Sequence, residues 1–220
     1  MNARRAELIA HYGFPLDDFQ LRALDALDGG QSVLVAAPTG SGKTVVAEYA
    51  IDVAIADGHR AFYTAPIKAL SNQKYHDLVA RLGPQNVGLL TGDNSINGDA
   101  PVVVMTTEVL RNMIYAKSSA LDDLAVVVLD EVHFLQDTYR GPVWEEVIIH
   151  LPAPVRLVCL SATVSNAAEL AEWISTVRGP TSPIVEDRRP GSGVIVAIAI
   201  QLGGDQELHW SSIFVGALEL

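Results

Sequence analysis

Short apolar runs alternate with longer amphipathic segments along most of this chain. The short runs are rich in valine, leucine and other residues typical of buried strands, whereas the longer segments repeat apolar positions at helical spacing. This alternation indicates βαβ units, so we predict an α/β fold in which helices flank a mainly parallel central sheet. The predicted strands are Ser32–Ala36, Arg60–Thr64, Val87–Leu90, Val102–Thr106, Ala125–Leu129 and Arg156–Leu160. The predicted helices are Phe19–Leu27, Lys43–Ala56, Ala69–Leu82, Glu108–Tyr115, Val143–Leu151 and Asn166–Thr176.

The pattern changes towards the C-terminus. Residues 179–193 are rich in proline, glycine and serine, which we interpret as the end of a domain. We therefore divide the chain into a domain at residues 1–190 and an apolar C-terminal tail at residues 191–220. The tail either adds a strand to the sheet or is a new end created by truncation or a shifted reading frame. We expect a monomer whose tail, if unpaired, promotes association.

Composition and charge narrow the classes of function. The longest apolar run, Val194–Ile200, is far shorter than the ~20 residues that span a bilayer, and the N-terminus lacks the apolar core of a signal peptide. We therefore predict a cytoplasmic protein with no membrane partner. The formal net charge of -11 argues against nucleic-acid binding through a global positive field, although a local groove remains possible. The single cysteine, Cys159, rules out an internal disulfide and lies in an apolar stretch that predicts a buried thiol.

The sequence APTGSGKT follows the first predicted strand and precedes a helix. Strand, glycine-rich turn and helix together are typical of a phosphate-binding loop, because Gly40 and Gly42 let the backbone N–H groups face phosphate oxygens. Lys43 then reaches the β- and γ-phosphates, and the Thr44 hydroxyl ligates Mg²⁺. The alternative, a glycine-rich turn with a surface lysine, fits this context less well. The predicted ATP contacts in this loop are Thr39, Gly40, Ser41, Gly42, Lys43 and Thr44.

The sequence DEVH follows the apolar strand that ends at Leu129. At the end of a parallel strand, Asp130 can hold Mg²⁺ through water, and Glu131 can orient and deprotonate an attacking water molecule. Taken alone, the two carboxylates are equally consistent with a solvated acidic turn. His133 taken alone is consistent with a surface histidine.

A third short motif, SAT, spans Ser161 to Thr163 after the last predicted strand. If this strand lies beside the DEVH strand, the hydroxyls of Ser161 and Thr163 can hydrogen-bond Asp130 or His133. These residues, with Ala162 between them, would then report the state of the nucleotide. Because three-residue motifs are common by chance, the inference depends on the two strands being neighbours.

In this order the motifs resemble those of the first RecA-like domain of superfamily-two DExH-box helicases, and the similarity covers Tyr12–Pro190. The sequence APTGSGKT has alanine where the strict phosphate-loop pattern has glycine, and this form resembles superfamily-two helicases more than nucleotide kinases or small GTPases. The segment DTYRGPVWEEVI, residues 137–148, resembles the Ski-like group, which includes exosome-associated RNA helicases and actinobacterial HelY-type proteins. The resemblance implies a RecA-like P-loop fold, ATP and Mg²⁺ as cofactors, and catalytic roles for Lys43, Asp130, Glu131 and His133.

The resemblance also implies further contacts. The sequence FPLDDFQ resembles an adenine-recognition motif, in which Phe14 stacks on the base and Gln20 hydrogen-bonds its edge. Two other segments, TAPIKALSNQK and MTTEVLRNM, resemble segments that grip a nucleic-acid backbone. For these the alternatives are a solvated helix face and simple helix capping by the threonines. The implied nucleic-acid contacts are Lys68, Ser71, Asn72, Thr106, Thr107 and Arg111.

Helicases of this type bind ATP between two RecA-like domains, and the second contributes arginines that stabilise the transferring phosphoryl group. No QxxGRxGR-like arginine motif occurs in the 220 residues. The resemblance implies the ATP-binding domain of a helicase that translocates 3′ to 5′ along nucleic acid, with RNA expected ahead of DNA. On its own this chain should bind ATP with weak hydrolysis and no processive unwinding. The alternatives are a nucleotide-dependent nucleic-acid-binding adaptor, an inactive helicase fragment, and a P-loop kinase or transporter ATPase.

Overall fold

A computed structural model describes residues 3–162 and 166–186. Within these residues the strands form one sheet in the order β4-β3-β5-β2-β6-β7-β1-β8. Every neighbouring pair is parallel except β3 and β4, which are antiparallel. The strands are β1 (Ser32–Ala36), β2 (Arg60–Ala65), β3 (Val87–Leu90), β4 (Ser95–Ile96), β5 (Val102–Thr106), β6 (Leu124–Leu129), β7 (Arg156–Ser161) and β8 (Thr181–Val185).

The helices connect the parallel strands and cover both faces of the sheet. Short 3₁₀ turns at Ser119–Leu121 and Val132–Gln136 precede and follow β6. No helix in the two described ranges has the length and apolar character needed to cross a membrane. The helices are α1 (Ala3–Tyr12), α2 (Asp18–Asp28), α3 (Thr44–Ala56), α4 (Lys68–Leu82), α5 (Thr107–Tyr115), α6 (Gly141–His150) and α7 (Ala167–Arg178).

The predicted fold class is confirmed. All six predicted strands and all six predicted helices are present, with ends within two residues of the predicted bounds. The parallel strands are buried on both faces, which explains why they are continuous apolar runs rather than alternating ones. Successive side chains enter opposite apolar layers: Val126 and Val128 pack on the side of α2, α3 and α4, and Val127 and Leu129 on the side of α5, α6 and α7. Cys159 lies fully buried in the second layer, as its surroundings predicted.

Three elements were not predicted: α1, β4 and β8. The strand β8 lies inside the segment that we interpreted as a domain end, and it pairs only with β1 in the described sheet. Proline cannot donate to a strand ladder, so Pro183 is tolerated at such an edge position and obscures the strand in the sequence. The tail at residues 191–220 lies outside the described residues, and the domain boundary at 190 stays a prediction.

Candidate nucleotide-binding site

The phosphate-loop residues lie between the carboxyl end of β1 and the N-terminus of α3. Gly40 and Gly42 both have left-handed backbone conformations, with φ of 82° and 83°. At Gly42 an added Cβ would also lie 2.6 Å from Nε2 of Gln20, so a larger residue here is disfavoured by the backbone conformation and would require the Gln20 side chain to shift. The N–H groups of Val45 and Val46 donate to the carbonyl oxygens of Gly42 and Lys43 at 3.1 Å, and the positive end of the α3 dipole favours an anion at this end of the helix. The local geometry is that of an anion-binding turn.

Lys43 folds back over this loop. Its Nζ donates hydrogen bonds to the carbonyl oxygens of Ala37 at 2.7 Å and Pro38 at 3.0 Å. Burial lowers the pKa of the Lys43 ammonium group, and the nearby carboxylates of Glu131 and Asp130 partly offset this by raising it. The loop and the DEVH segment are therefore close enough to interact electrostatically, as we predicted from sequence.

The strand order explains this proximity. The strand β7 lies between β1 and β6, with Ala36 in register with Ser161 and Leu129 with Cys159. The N–H of Ala37 donates to the carbonyl oxygen of Ser161 at 3.2 Å, which joins the phosphate loop to the SAT segment. Because the carboxyl ends of parallel strands share one edge of a sheet, all three motifs meet there.

The Asp130 carboxylate is held by two hydrogen bonds. Its Oδ1 accepts from the backbone N–H of Glu131 at 2.9 Å, and its Oδ2 accepts from the hydroxyl of Tyr63 at 2.6 Å. Burial raises the pKa of Tyr63 well above its ordinary value, and the neighbouring Asp130 raises it further, so the phenol stays a donor. We did not predict Tyr63, because a tyrosine inside an apolar strand usually belongs to the core. The sequence carries no signal for this role: the N–H of Asp130 donates to the carbonyl oxygen of Thr64, next to Tyr63, at 3.0 Å, and only the structure shows this pairing.

Glu131 adopts a left-handed conformation with φ of 55°, which is uncommon for a residue with a side chain. Such conformations concentrate at functional sites, where surrounding contacts hold them. Its Oε2 lies 3.2 Å from Nδ1 of His133. The His133 ring stacks on Phe134 with centroids 4.8 Å apart, and the guanidinium of Arg140 lies 5.2 Å from the centre of that same Phe134 ring. Glu131 and His133 are thus a contacting pair beside the phosphate loop.

The SAT segment is only partly as predicted. The expected strand neighbours are confirmed, since β6 pairs with β7. The Ser161 side chain, however, is fully buried, and its hydroxyl has no hydrogen-bond partner within the described residues. The predicted bond from Ser161 to Asp130 or His133 is therefore not formed; side chains alternate along β7, so Ser161 shares the face of Cys159, whereas Tyr63, which bonds Asp130, belongs to the opposite layer. Ala162 follows β7 at the site edge, and Thr163 lies outside the described residues.

Of the two residues of the predicted adenine motif, Phe14 precedes α2 and Gln20 lies in the first turn of this helix. Gln20 is only 2% exposed: its Nε2 donates to the carbonyl oxygen of Gly42 at 3.0 Å, and its Oε1 accepts from the N–H of Asp17 at 2.9 Å. Gln20 thereby ties α2 to the phosphate loop. Phe14 is half exposed, with its ring 5.4 Å from that of Tyr12. The adenine contacts of both residues stay predictions.

Two of the predicted nucleic-acid contacts need correction. The Ser71 side chain is fully buried, and its hydroxyl donates to the carbonyl oxygens of Ile67 and Met105 at 3.3 and 3.2 Å. The Thr107 side chain is also fully buried, and its hydroxyl donates to the carbonyl oxygen of Ala65 at 3.4 Å. Both hydroxyls therefore join elements of the domain and are not presented to a ligand in this structure.

The remaining four candidates lie at or within the first two turns of α4 and α5, which follow the neighbouring strands β2 and β5. Lys68 forms an exposed ion pair with Asp93. Thr106 occupies the N-cap position of α5, but its side chain makes no capping hydrogen bond, contrary to the capping interpretation. Nε of Arg111 lies 3.8 Å from Oε2 of Glu146, in the segment after DEVH. Asn72 is half buried on α4.

A phosphate loop, DEVH and SAT at one edge of a parallel sheet define a RecA-like helicase domain, and comparison with known proteins identifies its family. The DEAD/DEAH box helicase family matches residues 17–170, more than half of the chain. The chain belongs to this family, which confirms the resemblance.

Individual relatives narrow the similarity. The probable helicase HelY of Mycobacterium leprae is 63% identical over 188 residues, which cover 86% of this chain and 20% of that protein. The exosome RNA helicase MTR4 of Homo sapiens is 48% identical over 191 residues, which cover 86% of this chain and 18% of that protein. A structure of the Mycobacterium smegmatis helicase Lhr bound to ssDNA and AMP-PNP is 29% identical with a TM-score of 0.64, covering 84% of this chain and 28% of that one. The chain thus spans about a fifth of the length of these curated relatives.

Proposed function

We propose that this chain is the ATP-binding domain of an ATP-dependent DExH-type helicase. The observation that carries the proposal is the meeting of the phosphate loop, DEVH and SAT at the carboxyl ends of β1, β6 and β7. The carboxylates of Glu131 and Asp130 raise the pKa of Lys43 against the effect of burial, which supports a single site for a nucleoside triphosphate.

The side chains divide the work by their chemistry. Lys43 and the first N–H groups of α3 bind the phosphates, displacing the bonds that Lys43 now makes to its own loop. Glu131 orients the attacking water and takes its proton as the oxygen bonds to the γ-phosphorus and the bond to the ADP oxygen breaks. We assign His133 the role of orienting Glu131, because its Nδ1 lies 3.2 Å from Oε2 of that residue, although no hydrogen bond joins them within the described residues. Phe14 stacks on the adenine, and Gln20 contacts the adenine edge by giving up its present hydrogen bonds to Gly42 and Asp17.

The site also fits Mg²⁺. This ion usually takes one or two protein oxygens together with phosphate oxygens and water, and it needs no cage of protein ligands. The oxygen donors we assign to it are the carboxylate of Asp130 and the hydroxyl of Thr44, and the Asp130 carboxylate is already oriented by two hydrogen bonds. When bound with ATP, Mg²⁺ neutralises charge on the β- and γ-phosphates.

We propose that the starts of α4 and α5 bind the backbone of single-stranded nucleic acid. Lys68 and Arg111 supply positive charge there, and Asn72 and Thr106 supply hydrogen-bonding groups. RNA is favoured over DNA because MTR4, at 48% identity, is named an exosome RNA helicase, whereas the DNA-bound Lhr structure is only 29% identical. With its partner domain, the protein would couple ATP hydrolysis to 3′-to-5′ translocation and duplex unwinding.

The test is nucleotide binding by the purified chain. A fluorescent ATP analogue should bind in the presence of Mg²⁺, and Lys43→Ala should weaken this binding at least about tenfold, by analogy with the loss of a charged hydrogen-bonding group. Lys117→Ala is the matched control, since Lys117 is exposed and follows α5 at the end of the helix remote from the site. Equal binding by wild type and Lys43→Ala would refute the proposed ATP site.

A second measurement separates an enzyme domain from an adaptor. Phosphate release by the wild-type chain is followed with and without single-stranded RNA or DNA. The proposal expects slow but measurable turnover that Glu131→Gln abolishes. Nucleic-acid binding that responds to a non-hydrolysable ATP analogue without any turnover would favour the adaptor.

A further inference from the structure

Tyr63 lies on β2, a strand in the middle of the sheet. Its strand, β2, lies between β5 and β6 and is hydrogen-bonded to both, so its backbone cannot shift without breaking two ladders. Its side chain is 2% exposed and belongs to the apolar layer that also contains α3, the helix that begins at the phosphate loop. Nζ of Lys74 on α4 lies 5.9 Å from the centre of its ring. The position of the Tyr63 hydroxyl is therefore fixed by well-packed surroundings.

That hydroxyl donates to Oδ2 of Asp130 at 2.6 Å, a short hydrogen bond of the kind formed by an ionised acceptor. The other oxygen, Oδ1, accepts the backbone N–H of Glu131 at 2.9 Å. A carboxylate has about four lone-pair directions, so each oxygen keeps one free. Two donors on opposite oxygens also prevent the carboxylate from rotating.

We propose that Tyr63 is a positioning residue for Asp130, holding its carboxylate so that the free lone pairs meet the water molecules around the Mg²⁺ of bound ATP. The inference rests on the proposed function and assigns a role to a residue outside the motifs APTGSGKT, DEVH and SAT. Without the hydroxyl, Asp130 keeps only the bond from Glu131 and can rotate about its side-chain torsions. Mg²⁺ coordination should suffer, whereas the contacts of the phosphate loop should not.

Tyr63→Phe is the sharpest test because it removes one oxygen atom and keeps the ring. Binding of a fluorescent ATP analogue is measured over a Mg²⁺ titration and again in excess EDTA. We expect the Mg²⁺ concentration at half-maximal effect to rise about tenfold, with metal-free nucleotide affinity unchanged. A merely structural role of the hydroxyl would change both measurements or neither.

Tyr49→Phe is the matched control. Tyr49 is also a buried tyrosine whose hydroxyl donates to a carboxylate, that of Asp28, but this pair joins α3 to α2 away from the nucleotide site. Its Mg²⁺ midpoint should equal that of the wild type. Thermal unfolding without nucleotide is recorded for both variants, so that any loss of stability is known separately.

A double-mutant cycle gives a second measurement. Asp130→Asn should raise the Mg²⁺ midpoint by itself, and adding Tyr63→Phe to it should cause little further change, because the two residues act through one carboxylate. Independent, additive effects would overturn the positioning role. The positioning role would also be overturned if Tyr63→Phe had the same Mg²⁺ midpoint as a wild type that binds MgATP. That result would leave the proposed function intact. A wild-type chain that binds no nucleotide would instead remove the proposed function, and this inference with it.

Discussion

Nε2 of Gln20 donates a hydrogen bond to the carbonyl oxygen of Gly42 at 3.0 Å. The same atom lies 2.6 Å from the position that a Cβ on residue 42 would take. The helix α2 therefore limits the space available to the phosphate loop. The effect on stability of a substitution at either residue should therefore depend on which residue occupies the other position.

Gly42→Ala should destabilise the domain more than Gly40→Ala. Both substitutions place a side chain at a left-handed φ, which costs about 1–2 kcal/mol, but only at position 42 does the new Cβ meet another atom within 4 Å. The free energy of unfolding from urea titrations measures this difference. Equal losses would show that the overlap with Gln20 is relieved without cost.

Gln20→Ala should partly rescue Gly42→Ala. Removing the amide costs about 1 kcal/mol by itself, because it ends the hydrogen bonds to Gly42 and Asp17. It also removes the atom that the new methyl group at position 42 would overlap, so the double variant should lose less stability than the sum of the single losses. Strict additivity in the same urea experiment would contradict direct contact.

Ser71→Ala and Lys68→Ala should have opposite effects. Ser71→Ala removes buried hydrogen bonds to Ile67 and Met105, so we expect a loss of about 1 kcal/mol in stability and unchanged RNA affinity. Lys68→Ala removes an exposed charge, so stability should change by less than about 0.5 kcal/mol while affinity for single-stranded RNA falls. Fluorescence anisotropy and thermal unfolding on the same samples decide. Weaker RNA binding by a stable Ser71→Ala protein would restore Ser71 to the interface.

The thiol of Cys159 should be inert in the folded protein. Burial raises its pKa to about 12, since the charged thiolate is disfavoured away from water. At neutral or mildly alkaline pH the group is therefore protonated as well as inaccessible. A thiol-specific chromogenic reagent should react only after guanidinium is added, and its rate should follow unfolding. Fast reaction under native conditions would contradict the described burial.

The sheet and the positions of the main motifs were predictable because they depend on local patterns. Buried parallel strands read as apolar runs, and ligand-binding residues follow where such strands end. Asp130 and Lys43 were found in this way. Their proximity needed only the assumption that the strands share one edge.

Residues whose roles depend on tertiary packing were not predictable. Tyr63 reads as a core residue until the β2–β6 pairing brings its hydroxyl to Asp130. Ser71 and Thr107 read as surface groups until packing buries them against neighbouring carbonyls. The hydroxyl of Ser161 is likewise buried, without a hydrogen-bond partner in the described residues. In each case the functional group is visible in the sequence, and only the fold decides what it faces.

The strand order has a mechanical consequence. The phosphate loop follows β1, and the proposed catalytic carboxylates follow β6. The segments proposed to bind nucleic acid follow β2 and β5. All four strands belong to one continuous hydrogen-bonded sheet. Sliding any of these strands past its neighbour would break a whole ladder of hydrogen bonds, so the proposed nucleotide and nucleic-acid sites are joined by a sheet that resists shear. We therefore expect a displacement at the proposed phosphate site to be transmitted through the sheet to the proposed nucleic-acid-binding segments.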